Sequence, residues 1–215
     1  MTDTVLRYFN IRGRADIICL ALELAGEKYI DKRHEREEWP AVKAASIADG
    51  SMPFGQCPAL HIDGMDLVQS LAILRYIGRK HNLQGKTLQD IAFGDMLIDS
   101  FVDLQNAFNK IKYGNDTPEA RKAFAETTYV TFMSALNKLF EKHTGCYYLL
   151  YLIIGKFFLG EEATIVDCVA FSTLSIMDKN FPEANTYEHL KQFMIDFAEL
   201  KPIKEYLASG RRPQN

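Results

Sequence analysis

Val5-Leu6-Arg7-Tyr8-Phe9-Asn10-Ile11-Arg12-Gly13-Arg14-Ala15-Asp16 opens as a short apolar run and closes as the first turn of a helix. The run from Val5 is too short to be helical and reads as a buried strand ending near Tyr8 or Phe9. Asn10 and Gly13 punctuate it. From Ala15 the spacing changes, and Ile17, Ile18, Leu20, Ala21, Leu22, Leu24 and Ala25 predict a helix that stops at Gly26. A tyrosine thus stands where a strand gives way to a helix, which is where α/β folds place ligands. Its hydroxyl is neutral at pH 7 and can donate one hydrogen bond. Arg12 and Arg14 are cations, and Arg14 strengthens the field around anything negative nearby. Such a site suits a thiolate, a phosphate or a carboxylate. The same residues also describe a half-buried core tyrosine beside two surface arginines.

Downstream, Lys28 to Arg33 is a second short strand centred on Tyr29 and Ile30. The charge run His34 to Glu38 reads as a solvated loop or edge. Trp39, the only tryptophan, sits in the loop region that follows; its indole N–H can donate to a ligand and Lys43 can meet a carboxylate. A tryptophan packing a surface helix fits the residues as well. Cys57-Pro58 leads into a strand, Ala59 to Ile62, and Asp63-Gly64 turns it into a hairpin with Met65 to Val68. A proline that opens a strand can be cis, which leaves the backbone of Cys57 free for a ligand main chain. The Cys57 side chain reads either as a reactive thiol or as a small packed group. Ser70 is an N-cap for the helix Leu71 to Ile77, and the N–H groups of that first turn form a carboxylate site. Strand, helix, strand, hairpin and helix make an α/β domain over 1–82.

The polar stretch Arg79 to Asp90 reads as a linker, and the period beyond it is helical, so 83–215 is expected to be an all-helical domain. Leu97, Phe101, Leu104, Phe108 and Ile111 follow 4-3-4-3 spacing on a helix running to about Tyr113. Asp95, Asp99 and Asp103 lie on another face, either solvated or opposite a cation. Thr117-Pro118-Glu119 starts a helix whose apolar stripe continues through Tyr129, Met133, Leu136 and Phe140. The apolar segment Cys146 to Leu159, interrupted by Lys156, is too short for a membrane span; it buries or serves as an association surface. Thr164 and Asp167 form a capping box before a helix that is apolar nearly all round and central to its core. Phe193, Met194, Phe197, Leu200, Ile203, Tyr206 and Leu207 belong to the last helices.

At 215 residues and 47% hydrophobic content, the chain can form one large or two small cores. A net charge of −3 gives no electrostatic reason to expect nucleic acid. No signal peptide is expected, because Asp3 and Arg7 interrupt the start. Cys19, Cys57, Cys146 and Cys168 form no CxxC pair or Cys/His cluster and read as reduced thiols of a cytoplasmic protein.

Tyr-Phe-Asn-x-Arg-Gly-Arg-Ala-Asp (Tyr8 to Asp16) resembles the start of a cytosolic glutathione transferase, nearest to the sigma class, which includes glutathione-dependent prostaglandin D synthases and cephalopod lens crystallins. The likeness recurs at Trp39, Gln69-Ser70, Lys156-Phe-Phe-Leu-Gly and the tail Arg211-Arg-Pro-Gln, with Leu149 to Ile154 as an insertion. It implies a glutathione transferase fold, with a thioredoxin-like domain followed by the helical one, and Pro58 at the cis-proline position. By the same resemblance glutathione is the co-substrate, with Tyr8 and Arg14 catalytic. Trp39 and Lys43 meet its glycine end, Gln56, Cys57 and Pro58 its main chain, and Gln69 and Ser70 its γ-glutamyl carboxylate. Asp103 reaches the glutathione amine of a neighbouring subunit, which implies a homodimer. Some members hold a divalent ion here, but Val102 replaces one of the acids, so no metal is expected. A hydrophobic electrophile is expected between the first domain and the helices near 101–113, against Phe9, Gln105, Phe108, Asn109 and Lys112. Three activities compete: conjugation in detoxification, prostaglandin isomerisation, and a non-catalytic crystallin-like or ligand-carrying role.

Overall fold

The computed structural model describes residues 3–144, 155–184 and 186–214. It divides into two compact units, Met1–Leu83 with Leu200–Asn215, and Gln84–Glu199.

The first unit is built on Val5–Phe9 (β1), Asp16–Ala25 (α1), Ile30–His34 (β2), Trp39–Ala48 (α2), Ala59–Ile62 (β3), Met65–Val68 (β4) and Ser70–Lys80 (α3). The sheet order is β2-β1-β3-β4, with β1 parallel to β2 and antiparallel to β3. This mixed four-stranded arrangement is thioredoxin-like. Alternation along β1 puts Leu6 and Tyr8 on the buried face. A one-residue slip would turn the Tyr8 ring to the other face. Helix α1 buries Ile17 to Leu22 and ends at Gly26, whose φ is +67°. Glu27 N–H then bonds Leu22 C=O at 3.0 Å, closing a Schellman motif that needs a left-handed residue. Asp63 and Gly64, both at positive φ, make the tight turn between β3 and β4.

Two local expectations change. Trp39 does not lie in a loop: it opens α2, with Pro40 in the first turn. Only Ser46 of that helix is buried, so it has no apolar stripe to signal it. Ser70 is the first residue of α3 rather than its cap; the capping position is Gln69, whose side chain makes no capping bond.

In the second unit, Leu88–Tyr113 (α4) starts at a capping box, in which the Thr87 hydroxyl accepts the Asp90 N–H and Asp90 accepts the Thr87 N–H. Pro118–Phe124 (α5) passes through a π-helical turn, Ala125–Tyr129, into Val130–Thr144 (α6). From the end of that turn Tyr129, Met133, Leu136 and Phe140 are all buried along one stripe. The apolar insertion and Cys146 fall within 145–154, outside the described residues. Ile165–Asn180 (α7) is buried on nearly every side, and Glu188–Ala198 (α8) follows. Phe158 is the hub of this core, with Phe140, Phe193 and Phe101 rings at 4.9, 5.1 and 5.4 Å, all edge-on. Each fully buried aromatic contributes on the order of 2–3 kcal/mol.

The last helix, Lys201–Ala208 (α9), and the tail belong with the first unit, where α9 packs on α1. The sequence reading of 83–215 as one helical domain includes both. No helix among the described residues is long and apolar enough to cross a membrane.

Candidate functional site

A cleft of about 330 Å³ opens in the first unit, lined by Tyr8, Phe9, Arg14, Trp39, Gly55, Gln56, Cys57, Pro58, Gln69 and Ser70. The end of β1, the start of α2, the entry to β3 and the first turn of α3 each supply part of the wall. Phe9 stands edge-on to Trp39 at 5.0 Å and to Tyr8 at 5.7 Å, giving an apolar side. The other sides are polar.

Tyr8 is 7% exposed, and its hydroxyl oxygen accepts the backbone N–H of Arg14 at 3.0 Å. That bond fixes the oxygen and polarises its O–H, which makes the phenol a stronger donor. The Arg14 side chain is exposed, so its charge lies at the margin of the cleft. The turn between them depends on Gly13, at φ +41°, where an added Cβ would stand 2.5 Å from the Tyr8 hydroxyl and 2.9 Å from its ring. No side chain fits there without moving the tyrosine. Gly13→Ala is therefore expected to lower turnover about fivefold by displacing the hydroxyl. Because it acts through Tyr8, adding it to Tyr8→Phe should lower turnover no further; full additivity in the double variant would contradict this.

Arg33, one strand over, holds the same turn from below. Its guanidinium donates to the carbonyls of Phe9 at 2.9 Å and Ile11 at 3.0 Å. It also forms a two-point pair with Asp31, at 2.7 and 2.8 Å. The pair stands two residues apart on β2, and so on one face. That spacing is the only sequence signal of its role, and it is weak.

Gln69 adopts φ +73° and ψ 109°, a conformation that costs a non-glycine residue about 1–3 kcal/mol. Its amide donates to the Gln56 side chain at 3.3 Å, and Ser70 begins the helix N-terminus beside it. The Cys57-Pro58 bond is cis. Burial pushes the Cys57 thiol up to about 11, so it is uncharged near neutral pH and a weak nucleophile. Lys43 does not line the cleft; it is exposed, with its stem packed over Gly55, where a Cβ would meet Lys43 Cε at 2.6 Å.

In the second unit, Asp103 and Lys112 are exposed on α4, and Gln105 and Asn109 are half-buried. Phe108 departs from the expected acceptor set. It is fully buried, 5.3 Å from the Phe181 ring and 5.7 Å from Phe124, so it packs the core and presents no surface to a substrate. Among the described residues no group of three or more His, Cys, Asp or Glu side chains is placed to hold a metal.

The cleft thus combines a polarised neutral donor, a marginal cation, an open helix N-terminus and an aromatic wall. It suits a small, elongated ligand carrying a group that gains from becoming an anion.

Residues 4–79 match the glutathione S-transferase N-terminal domain, and residues 102–210 match the glutathione S-transferase C-terminal domain. Glutathione S-transferase 1 of Ascaris suum is 31% identical over 215 residues, 97% of each chain. The hematopoietic prostaglandin D synthase of Gallus gallus is 39% identical over 124 residues, 58% of each. The Pi-class glutathione S-transferase of Onchocerca volvulus superposes with a TM-score of 0.85 at 25% identity, over 100% of this chain and 98% of that one.

Proposed function

This chain belongs to the glutathione S-transferase family, and from that premise we propose that it transfers the glutathione thiolate to hydrophobic electrophiles, with Tyr8 as the hydrogen-bond donor to the sulfur. A free cysteine-like thiol has a pKa near ~8.5, so only a few per cent is ionised at pH 7. Lowering it by about two units requires roughly 2.7 kcal/mol of thiolate stabilisation. One hydrogen bond to an anion, strengthened by the Arg14 charge in a partly dry cleft, supplies an effect of that size. The observation that carries this reading is the Tyr8 hydroxyl held on the cleft wall by the Arg14 N–H at 3.0 Å.

The rest of the tripeptide follows the family resemblance. Its γ-glutamyl carboxylate meets Ser70, Gln69 and the N–H groups of α3. Its central backbone pairs with that of Cys57 next to Pro58, beside Gln56, and its glycine end meets Trp39, with Lys43 reaching it from outside the cleft. Asp103 of a second copy takes the amine, which makes the protein a homodimer. On the acceptor side we propose Phe9 in the first unit and, in the second unit taken by itself, Gln105, Asn109 and Lys112. The sigma class is the proposed assignment, supported by the run Tyr8 to Asp16 and by the likeness to the Gallus gallus enzyme; a cytoplasmic, detoxifying role accords with it.

With an aryl chloride the thiolate adds to the ring carbon, a C–S bond forms, the C–Cl bond breaks and chloride leaves. Tyr8 bonds to the sulfur and forms no covalent intermediate. The test is a spectrophotometric assay with glutathione and a chloro-nitrobenzene acceptor, in which glutathione-dependent thioether formation is expected. No rate above background with this and other electrophiles would reject conjugation and leave isomerisation or a crystallin-like or ligand-carrying role. The 39% identity to the prostaglandin D synthase favours a second reading, isomerisation of an endoperoxide by the same thiolate. That reaction would return glutathione unconsumed, which separates it from conjugation.

A further inference from the structure

The turn that carries Arg14 is gripped from outside by the end of the chain. Beyond α9, Arg212 Nε and Nη2 reach the two carboxylate oxygens of Asp16 at 2.8 and 2.6 Å. Asp16 is buried, 1% exposed, and Arg212 is largely covered, 10% exposed. In the reverse direction, Arg12 Nε donates to the Pro213 carbonyl at 2.8 Å. Arg12 and Asp16 are themselves joined by the Asp16 N–H to Arg12 C=O bond at 3.0 Å. The tail therefore clasps both ends of a single turn, and between those ends lie Gly13 and Arg14, whose N–H meets the Tyr8 hydroxyl. Arg211 is different. It pairs with Glu23 at 2.7 and 2.9 Å, in the last turn of α1, with its side chain 49% exposed.

A buried ion pair adds little net stability, because desolvation offsets most of its attraction. A two-point arginine–carboxylate fork does fix geometry in a plane. Here the fixed geometry is that of the turn that contains the Arg14 N–H of the site's key hydrogen bond.

We infer that Arg212 is a positioning residue for the sulfur-binding hydroxyl, acting through Asp16 and Arg12 to hold the Arg14 N–H on Tyr8, so that the C-terminal tail is a working part of the cleft. This rests on the proposed role of Tyr8. The contacts it invokes span 196 positions of sequence.

The test compares full-length Arg212→Ala, Arg212→Lys, Arg12→Ala, Arg211→Ala and Tyr8→Phe with the wild type. For each, the glutathione complex is titrated by its thiolate ultraviolet absorbance, and kcat and KM are measured against pH. Arg212→Ala and Arg12→Ala should move the apparent pKa of the bound thiol upward by about half a unit to one unit. Turnover at pH 6.5 should fall up to about twofold, the lost thiolate being partly offset by its greater basicity, with the glutathione KM within about twofold. Arg212→Lys keeps the charge and loses the fork, so it should recover only part of the shift. Arg211→Ala should leave pKa and turnover unchanged. Should Arg212→Ala fail to fold, Arg12→Ala, which removes a single bond to a backbone carbonyl, decides the matter. Folded Arg212→Ala or Arg12→Ala protein with the wild-type titration, beside a Tyr8→Phe variant whose titration shifts, would overturn the tail's role alone. An unshifted Tyr8→Phe would overturn the role of Tyr8 and the tail's with it.

Discussion

Tyr8→Phe should bind glutathione nearly as well as the wild type and turn over about tenfold more slowly at pH 6.5. With the hydroxyl present and the bound thiol near ~6.5, about half is thiolate at that pH; without it, at ~8.5, about 1% is. The fifty-fold loss of nucleophile is partly offset. A more basic thiolate is intrinsically more reactive, by about eightfold over two pKa units at a Brønsted slope of ~0.45. The net factor is about six, and loss of the bond that orients the sulfur brings it to roughly ten. The pH dependence is more diagnostic than the factor. The deficit should shrink as pH rises, vanish at pH ~8 and reverse to about fourfold in the variant's favour at pH ~9, where both thiols are largely ionised. A deficit that stays constant from pH 6 to pH 9 would mean that the phenol shapes the cleft without ionising the sulfur. The measurement is kcat against pH at saturating glutathione and fixed acceptor.

The largest effect on stability should come from Asp167→Ala. The wild-type carboxylate is fully buried. It accepts the Phe158 N–H at 3.0 Å, the Thr164 N–H at 2.7 Å and the Thr164 hydroxyl at 2.9 Å. It thereby ties the start of α7 to the strand-like turn that carries the hub ring of the helical core. Alanine leaves three buried donors without that acceptor, a loss of about 4 kcal/mol, or roughly 10 °C in Tm for a chain of this size. The folded fraction should keep its glutathione KM, since the residues that line the cleft belong to the first unit. An unchanged Tm would contradict the account. Burial, acting against the three donors, pushes the Asp167 carboxyl up from 3.8 to about 6. An acid with a raised folded pKa takes up its proton on folding, so this group contributes more stability below pH 6 than above it. The stability gap between wild type and the non-titrating Asp167→Asn should therefore be wider at pH 5 than at pH 7, by about 1 kcal/mol.

What could be read from sequence, and what could not, follows the range of the interactions involved. The strand-to-helix change at Tyr8 to Asp16, the Asp63-Gly64 hairpin and the Thr164/Asp167 box are local patterns, and the structure carries each of them. Helix α2 was hidden because it buries almost nothing and so shows no period. The π turn at Ala125–Tyr129 was hidden because its single extra residue leaves the stripe intact. The positive φ of Gln69 has no glycine to announce it. Phe108 shares the stripe of Leu97, Phe101 and Leu104, which puts it on the core side of α4, where the structure buries it. Arg33 and the Arg212–Asp16 fork were out of reach for a different reason. Each joins parts of the chain whose proximity only the folded first unit creates, and an arginine in a strand or a tail looks solvated until its partner is known. Gly13 lay between these cases. Its punctuation was visible, but the tyrosine ring filling the space where its side chain would be was not.

The most direct measurement is a titration of the thiol of bound glutathione, followed by its thiolate absorbance from pH 5 to pH 10, in the wild type and in Tyr8→Phe. A bound thiol ionising near ~6.5 in the wild type and near the free value of ~8.5 in the variant is the predicted result. A wild-type complex that titrates like free glutathione, or a variant that titrates like the wild type, would contradict the assignment of Tyr8.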